Sequence, residues 1–233
     1  MAVAYDAVAS ITRTLIDNPM IWTHTPVGTP RAVVAAFVHG TSSTDHVLTV
    51  TYGGVAMTEI VRATDTVTEP GAAELWFLGA GIPTGAQTIS AALSIATTDD
   101  IHGISFSLTA LTNTEVVSSG SINEDAANPT ITLAKNGRVA WGTAAMYGGA
   151  AAPGGTLATG NTLGPTSDLG AFYSQTCRET TPDATNRAIG WSTLAADDLA
   201  FVALNVSEIV AVTSIPDILK APRLPGGRDV GRL

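Results

Sequence analysis

The side chains that could do chemistry are few and scattered. The chain has four histidines, His24, His39, His46 and His102, a single cysteine, Cys177, and 20 acidic residues. The histidines share no ligand spacing. Asp99-Asp100-Ile101-His102 offers oxygen and nitrogen donors to a metal. Neighbours on a strand point to opposite faces, so only Asp100 and His102 would converge there. Calcium takes about six to eight oxygens, whereas Asp65, Glu69, Asp125 and Asp183 are dispersed among separate loops. No GxSxG elbow, P-loop or HExxH is present. Cys177, beside Arg178 and Glu179, reads as a spectator thiol. Asn205-Val206-Ser207 matches a glycosylation sequon but sits inside an expected strand. The sequence therefore assigns no catalytic residue, no cofactor and no metal, and points away from an enzyme.

The elements that would carry these residues are strands. Ala73–Leu93 reads as a central hairpin: Glu74, Trp76 and Leu78 face one way, Leu75 and Phe77 the other, Pro83 and Gly85 turn the chain, and Gln87–Leu93 returns. So apolar a hairpin needs a second layer. Arg31–His39 is apolar throughout and reads as a buried central strand. Val47–Tyr52 alternates, Gly53-Gly54 turns, and Val55–Val61 returns as its partner. Ile101–Leu111 is a long strand, with Glu115–Ile122 beside it. Arg138–Tyr147, Gly170–Gln175, Arg187–Ser192 and Leu199–Val212 complete the set. Gly148–Leu169 reads as one long Gly/Ala/Thr/Pro loop, of a kind that is usually functional, bound to a neighbour, or mobile. No internal repeat is visible. About a dozen short strands with glycine turns and no convincing helix predict an all-β, jelly-roll-like antiparallel β-sandwich with an extended C-terminal arm. The expected boundaries are an N-terminal segment over 1–19, the sandwich over 20–212 and the arm over 213–233.

Composition narrows the role. Charged residues make up 13% of the 233, about half the usual share, so Thr, Ser, Ala and Gly must fill the polar faces. The net charge of −9 argues against nucleic acid, whose phosphates need a basic surface. Lys220, Arg223, Arg228 and Arg232 against Asp229 give the stretch from Lys220 a net +3, leaving −12 on the rest. Pro216, Pro222, Pro225 and Gly226-Gly227 keep this stretch extended. Such a basic arm reads as a docking segment, ordered on an acidic or grooved neighbour. Met1–Trp22 lacks a basic start and a continuous apolar run, so no signal peptide is expected, and no apolar run suggests membrane insertion. Trp22, Trp76, Trp141 and Trp191 all fall in expected strands and read as core. Tyr147, beside Gly148-Gly149, reads as an exposed ring.

Several short runs carry a resemblance: His24-Thr25 and Arg31, Thr49-Val50-Thr51-Tyr52-Gly53-Gly54-Val55, Glu74-Leu75-Trp76, Pro83-Thr84-Gly85, Ile104-Ser105-Phe106, and Ile189-Gly190-Trp191 followed by Asp197-Asp198. In this order, from about Trp22 to Ile209, they resemble a jelly-roll module of bacteriophage structural proteins and bacterial surface proteins. The resemblance implies a binding or assembly role without a catalytic set. It implies a virion component made in the host cytoplasm, a head decoration, head-fibre or tail protein. Its partners would be other virion proteins of capsid or tail and copies of itself, a trimer being frequent among such proteins. Anchoring falls to the arm with Lys220, Arg223, Arg228 and Arg232. The alternative is a carbohydrate-binding module gripping a surface glycan with tip-loop residues Tyr147, Asn161 and Asp168.

Overall fold

The computed structural model describes residues 2–13, 18–40, 47–66, 70–94, 100–123, 128–149, 155–169, 172–194 and 198–209. The basic arm, with Lys220, Arg223, Arg228 and Arg232, lies outside the described residues. Among the described residues seventeen strands run in chain order: β1 (Ala4–Arg13), β2 (Met20–His24), β3 (Ala32–Gly40), β4 (Val47–Tyr52), β5 (Val55–Ala56), β6 (Thr58–Asp65), β7 (Gly71–Leu78), β8 (Gln87–Leu93), β9 (Ile101–Thr109), β10 (Thr114–Asn123), β11 (Thr130–Leu133), β12 (Ala140–Gly148), β13 (Thr156–Leu157), β14 (Asn161–Asp168), β15 (Tyr173–Glu179), β16 (Arg187–Thr193) and β17 (Leu199–Glu208). The all-β expectation holds.

The strands form two large and two small sheets. The first large sheet runs β1-β9-β3-β7-β6 and its small companion β2-β8-β4-β5. The second large sheet runs β10-β17-β12-β15-β14 and its companion β11-β16-β13. In each half the strands pair antiparallel in nested fashion, first with last and second with next to last: β1 with β9, β2 with β8, β3 with β7, then β10 with β17, β11 with β16, β12 with β15. This nesting is the wrapping of a jelly roll. It occurs twice, so the chain is a tandem of two jelly rolls with one strand order. The stretch 20–212 thus contains most of two sandwiches. Residues before 20 are no separate segment, because β1 forms the edge of the first large sheet.

The two large sheets pack face to face, and the small sheets cover their outer sides, giving four layers. Three apolar clusters fill the three gaps. The middle one joins Val34, Phe106 and Leu108 of the first half to Trp141, Tyr147, Val202 and Leu204 of the second. Trp22, Phe37, Tyr52, Trp76 and Ile89 fill the first sandwich, and Met146, Ile189, Trp191 and Phe201 the second. All four tryptophans are in these layers, as expected. β3, β12 and nearly all of β9 and β17 are buried on both faces, which explains their unbroken apolar runs. Contacts also join the sheet edges. Thr12 of β1 meets Ser167 of β14 at 3.2 Å, the Arg178 guanidinium of β15 lies 3.8 Å over the Tyr5 ring, and Tyr5 stacks on Trp141 of β12 at 6.3 Å. β6 meets β10, where the Thr64 N–H donates to Asn123 Oδ1 at 3.1 Å.

Several expectations need correction. Ala73–Leu93 is no hairpin: β7 belongs to the first large sheet and β8 to its small companion. The connection arches over the sandwich, since Trp76, Leu78, Ile89 and Leu93 all point into the same core. Glu115–Ile122 pairs with β17 of the second half rather than with the strand before it. Val55–Val61 splits, β5 pairing β4 and β6 crossing to β7. Gly148–Leu169 contains β13 and β14. β14 is an edge strand whose Gly164-Pro165 sits at a register shift, where a missing N–H is tolerated.

Tyr147 is the largest correction. It is 1% exposed and lies 5.4 Å from Phe172, ring to ring, in the middle layer. Room for the two rings comes from paired glycines: Gly40 and Gly71 face each other across β3 and β7. A Cβ at Gly71 would lie 2.3 Å from the Tyr147 ring, and one at Gly40 would lie 2.3 Å from Phe172. We expect Gly71→Ala to destabilise the fold by roughly 1–3 kcal/mol through overpacking, lowering Tm by about 2–4 °C per kcal/mol. Thermal unfolding followed by tryptophan fluorescence checks this, and an unchanged Tm would contradict the packing described.

Candidate functional site

Three polar clusters are buried within the layers, and one surface stands out from them. In the first cluster, Ser105 Oγ on β9 lies 3.3 Å from the Ala9 carbonyl oxygen and accepts from Trp22 Nε1 at 3.2 Å. His24 Nδ1 lies 2.8 Å from the same hydroxyl. The single Ser105 hydroxyl proton can go to the Ala9 carbonyl or to His24 Nδ1, and the His24 tautomer decides which. The pair has the composition of a nucleophile and its base, but both residues are fully buried. Burial brings the His24 pKa down to about 4, against a smaller upward pull from Asp6. The Asp6 carboxylate is itself engaged by Ser107 Oγ at 2.8 Å and the Gly28 N–H at 2.8 Å.

In the second cluster, Glu74 is fully buried on β7. Its Oε1 faces His39 Nε2 at 3.2 Å, the Val47 N–H at 3.2 Å and Arg62 Nε at 3.5 Å, while Oε2 accepts from Trp76 Nε1 at 3.2 Å. Both oxygens are occupied, and the carboxylate ties β3, β4, β6 and β7 together. His102 forms a similar tie between the halves: its Nδ1 lies 2.9 Å from Ser174 Oγ on β15. Among the described residues, Asp100 and His102 included, no group of three His, Cys, Asp or Glu could hold an ion. Cys177 is buried, and burial pushes its thiol up to about 12, so it is inert.

The third cluster closes one end of the second half. Lys135, in the turn between β11 and β12, is fully buried. Its Nζ lies 2.7 Å from Glu179 Oε1 and 3.1 Å from Asp183 Oδ1, and donates to the Ala140 carbonyl at 3.2 Å. Glu179 Oε2 accepts from the Gly142 N–H at 3.0 Å. Asp183 also accepts from Arg187 Nε at 2.7 Å and from the Thr185 N–H at 2.9 Å. The contact with Arg187 leads the causes that bring the Asp183 pKa down to about 2. Burial pushes Glu179 the opposite way, upward. Nothing in the sequence spacing brings residues 135, 179 and 183 together; only the nesting of β12 against β15 does.

The outward face of the first small sheet is the surface in question. Ile21, Ser90, Thr51 and Ala56 form one row across all four strands. Thr23–Thr88 and Thr49–Ala92 form shorter rows beside it. With Leu48, which is exposed, the described residues of this face carry no charge. The second small sheet repeats the character with Thr130, Thr132, Ala188 and Ser192. The tip-loop residues do not gather. Asn161 Nδ2 is used on the Ala158 and Ala188 carbonyls at 2.9 and 3.0 Å. Asp168 is exposed at the other end of the same strand, and Tyr147 is internal.

Compared with known protein families, characterised proteins and solved structures, the chain finds no match.

The buried histidines set a pH dependence. His102 is held down at about 4 by burial, from an ordinary 6.5, so the unfolded chain binds more protons between those values. Its contribution is complete above pH 6.5, falls as the pH drops, and levels off near 4. The loss is on the order of 2–3 kcal/mol; His24 acts in the same direction. We expect chemical denaturation at pH 7.5 and 4.5 to show this loss, and His102→Gln to shallow it. Equal slopes for the two proteins would contradict the assignment.

Proposed function

We propose that the chain is a non-enzymatic structural component of a bacteriophage virion, acting in head decoration, a head fibre or the tail. It assembles with other virion proteins and with copies of itself. The observation that carries this reading is the uncharged outer face of the first small sheet. Flat, cross-strand rows of Thr, Ser, Ala and Ile can be buried against another protein without desolvating a charge, which is the main cost of burying polar surface. The buried polar clusters support it too, because their hydrogen bonds are spent on holding strands together. The quoted sequence runs and the basic terminal arm agree with an assembly role. The glycan-binding alternative loses its aromatic platform, since Tyr147 and the four tryptophans are internal.

The test is binding to particles that lack this protein. Full-length chain, chain cut after Thr213, and a Thr49→Glu/Thr88→Glu variant are compared, with mass in solution measured for each. We expect the full chain to bind and self-associate, the cut form to lose the anchor, and the charged variant to stay folded but bind at least about tenfold more weakly, the equivalent of 1.4 kcal/mol. A full-length chain that stays monomeric and binds no particle would overturn the proposal.

A further inference from the structure

The Lys135 cluster has a composition and placement that its structural role does not require. A lysine amine with no exposed surface lies 2.7 Å from one oxygen of a buried carboxyl. The other oxygen of that carboxyl receives the Gly142 N–H. A second carboxylate, Asp183, touches the same amine at 3.1 Å. Gly142 is needed for the approach: a Cβ there would lie 2.0 Å from Ile189 and 3.4 Å from the Glu179 carboxyl carbon. An amine, an acyl carbon, an N–H aimed at the carbonyl oxygen and a proton acceptor are therefore assembled within one water-poor pocket.

We propose that Lys135 and Glu179 condense into an intramolecular isopeptide bond that ties the β11–β12 turn covalently to the end of β15. The ammonium of Lys135 passes a proton to the Asp183 carboxylate. The freed amine attacks Cδ of the protonated Glu179, and a new N–C bond forms. The Gly142 N–H stabilises the charge that develops on Oε2. Asp183 carries protons from nitrogen to the departing Oε1, the C–O bond breaks, and one water leaves. No oxidant or co-reactant is needed: the Lys135 ammonium, the neutral Glu179 carboxyl and the Asp183 carboxylate become an amide, water and a protonated Asp183, which gives its proton to solvent at the rim. Burial keeps Glu179 towards its neutral form, which an acyl donor requires. Asp183 is unsuited to that part, because Arg187 holds it ionised, and it serves through its 3.1 Å contact with the amine as a transient proton acceptor. The drive is the removal of the buried Lys135 charge, whose desolvation a neutral amide avoids. Arg187, which holds Asp183, also lines a surface cleft with Gly160, Thr180 and Thr181.

The inference does not rest on the virion reading, and its test is separate. The intact mass of the purified full-length chain is measured under denaturing conditions, followed by proteolysis and tandem mass spectrometry. We expect a deficit of one water and a branched peptide joining residues 135 and 179. Lys135→Arg and Glu179→Ala should restore the unmodified mass, and Asp183→Asn should slow the appearance of the branch. An unmodified mass in folded full-length chain after prolonged incubation would overturn the proposal. So would a water loss mapped to any other pair of residues, or a branch at Asp183.

Discussion

The structure depends on the middle apolar layer, where the two large sheets meet. Phe106, Trp141, Tyr147, Phe172, Val202 and Leu204 fill it without a charged side chain among them. A sandwich of about a hundred residues ordinarily leaves the outer faces of its sheets in water. Here each large sheet buries both faces, one against its own small sheet and one against the other half. That single constraint explains the low charge content, the continuous apolar runs of β3, β9, β12 and β17, and the glycine pair at Gly40 and Gly71. It also explains the placement of His102 and Ser174, a neutral hydrogen bond in a layer where an ion would be costly.

Buried polar groups then act as clamps at the ends of this stack. Glu74 gathers four strands in the first half, and the Lys135, Glu179 and Asp183 set closes an end of the second. Each sits where strands leave a sheet and backbone groups would otherwise lack partners. The small sheets cap the stack with faces of Thr, Ser and Ala, so the described residues of these two faces bear hydroxyl and methyl groups in place of charge.

Strand positions were largely legible in the sequence, because alternation and glycine turns are local. Val47–Tyr52, Arg31–His39 and Arg187–Ser192 needed little more than pattern and punctuation. Partnership was not legible. The run around Pro83-Thr84-Gly85 has the same local signature whether the chain makes a hairpin or arches to the facing sheet, and the arch is chosen by the shared core of Trp76 and Ile89. The duplication was hidden for the same reason: it lives in nested pairing, not in repeated residues. Tyr147 reads as exposed from the Gly148-Gly149 pair beside it, since Gly71, which makes space for its ring, lies 76 positions earlier in sequence, across the middle layer. Residues 135, 179 and 183 carry no spacing signal at all, and only the fold reveals them.

The claim at the centre of this account is that the two jelly rolls form one stack through the middle layer. Native-state hydrogen exchange read by mass spectrometry addresses it most directly. If the stack is real, the amides of β3, β9, β12 and β17 are the slowest in the chain and exchange together, through global unfolding. Fast exchange of β12 and β17 while β3 and β9 stay protected, or the reverse, would mean that the halves open independently, and would contradict it.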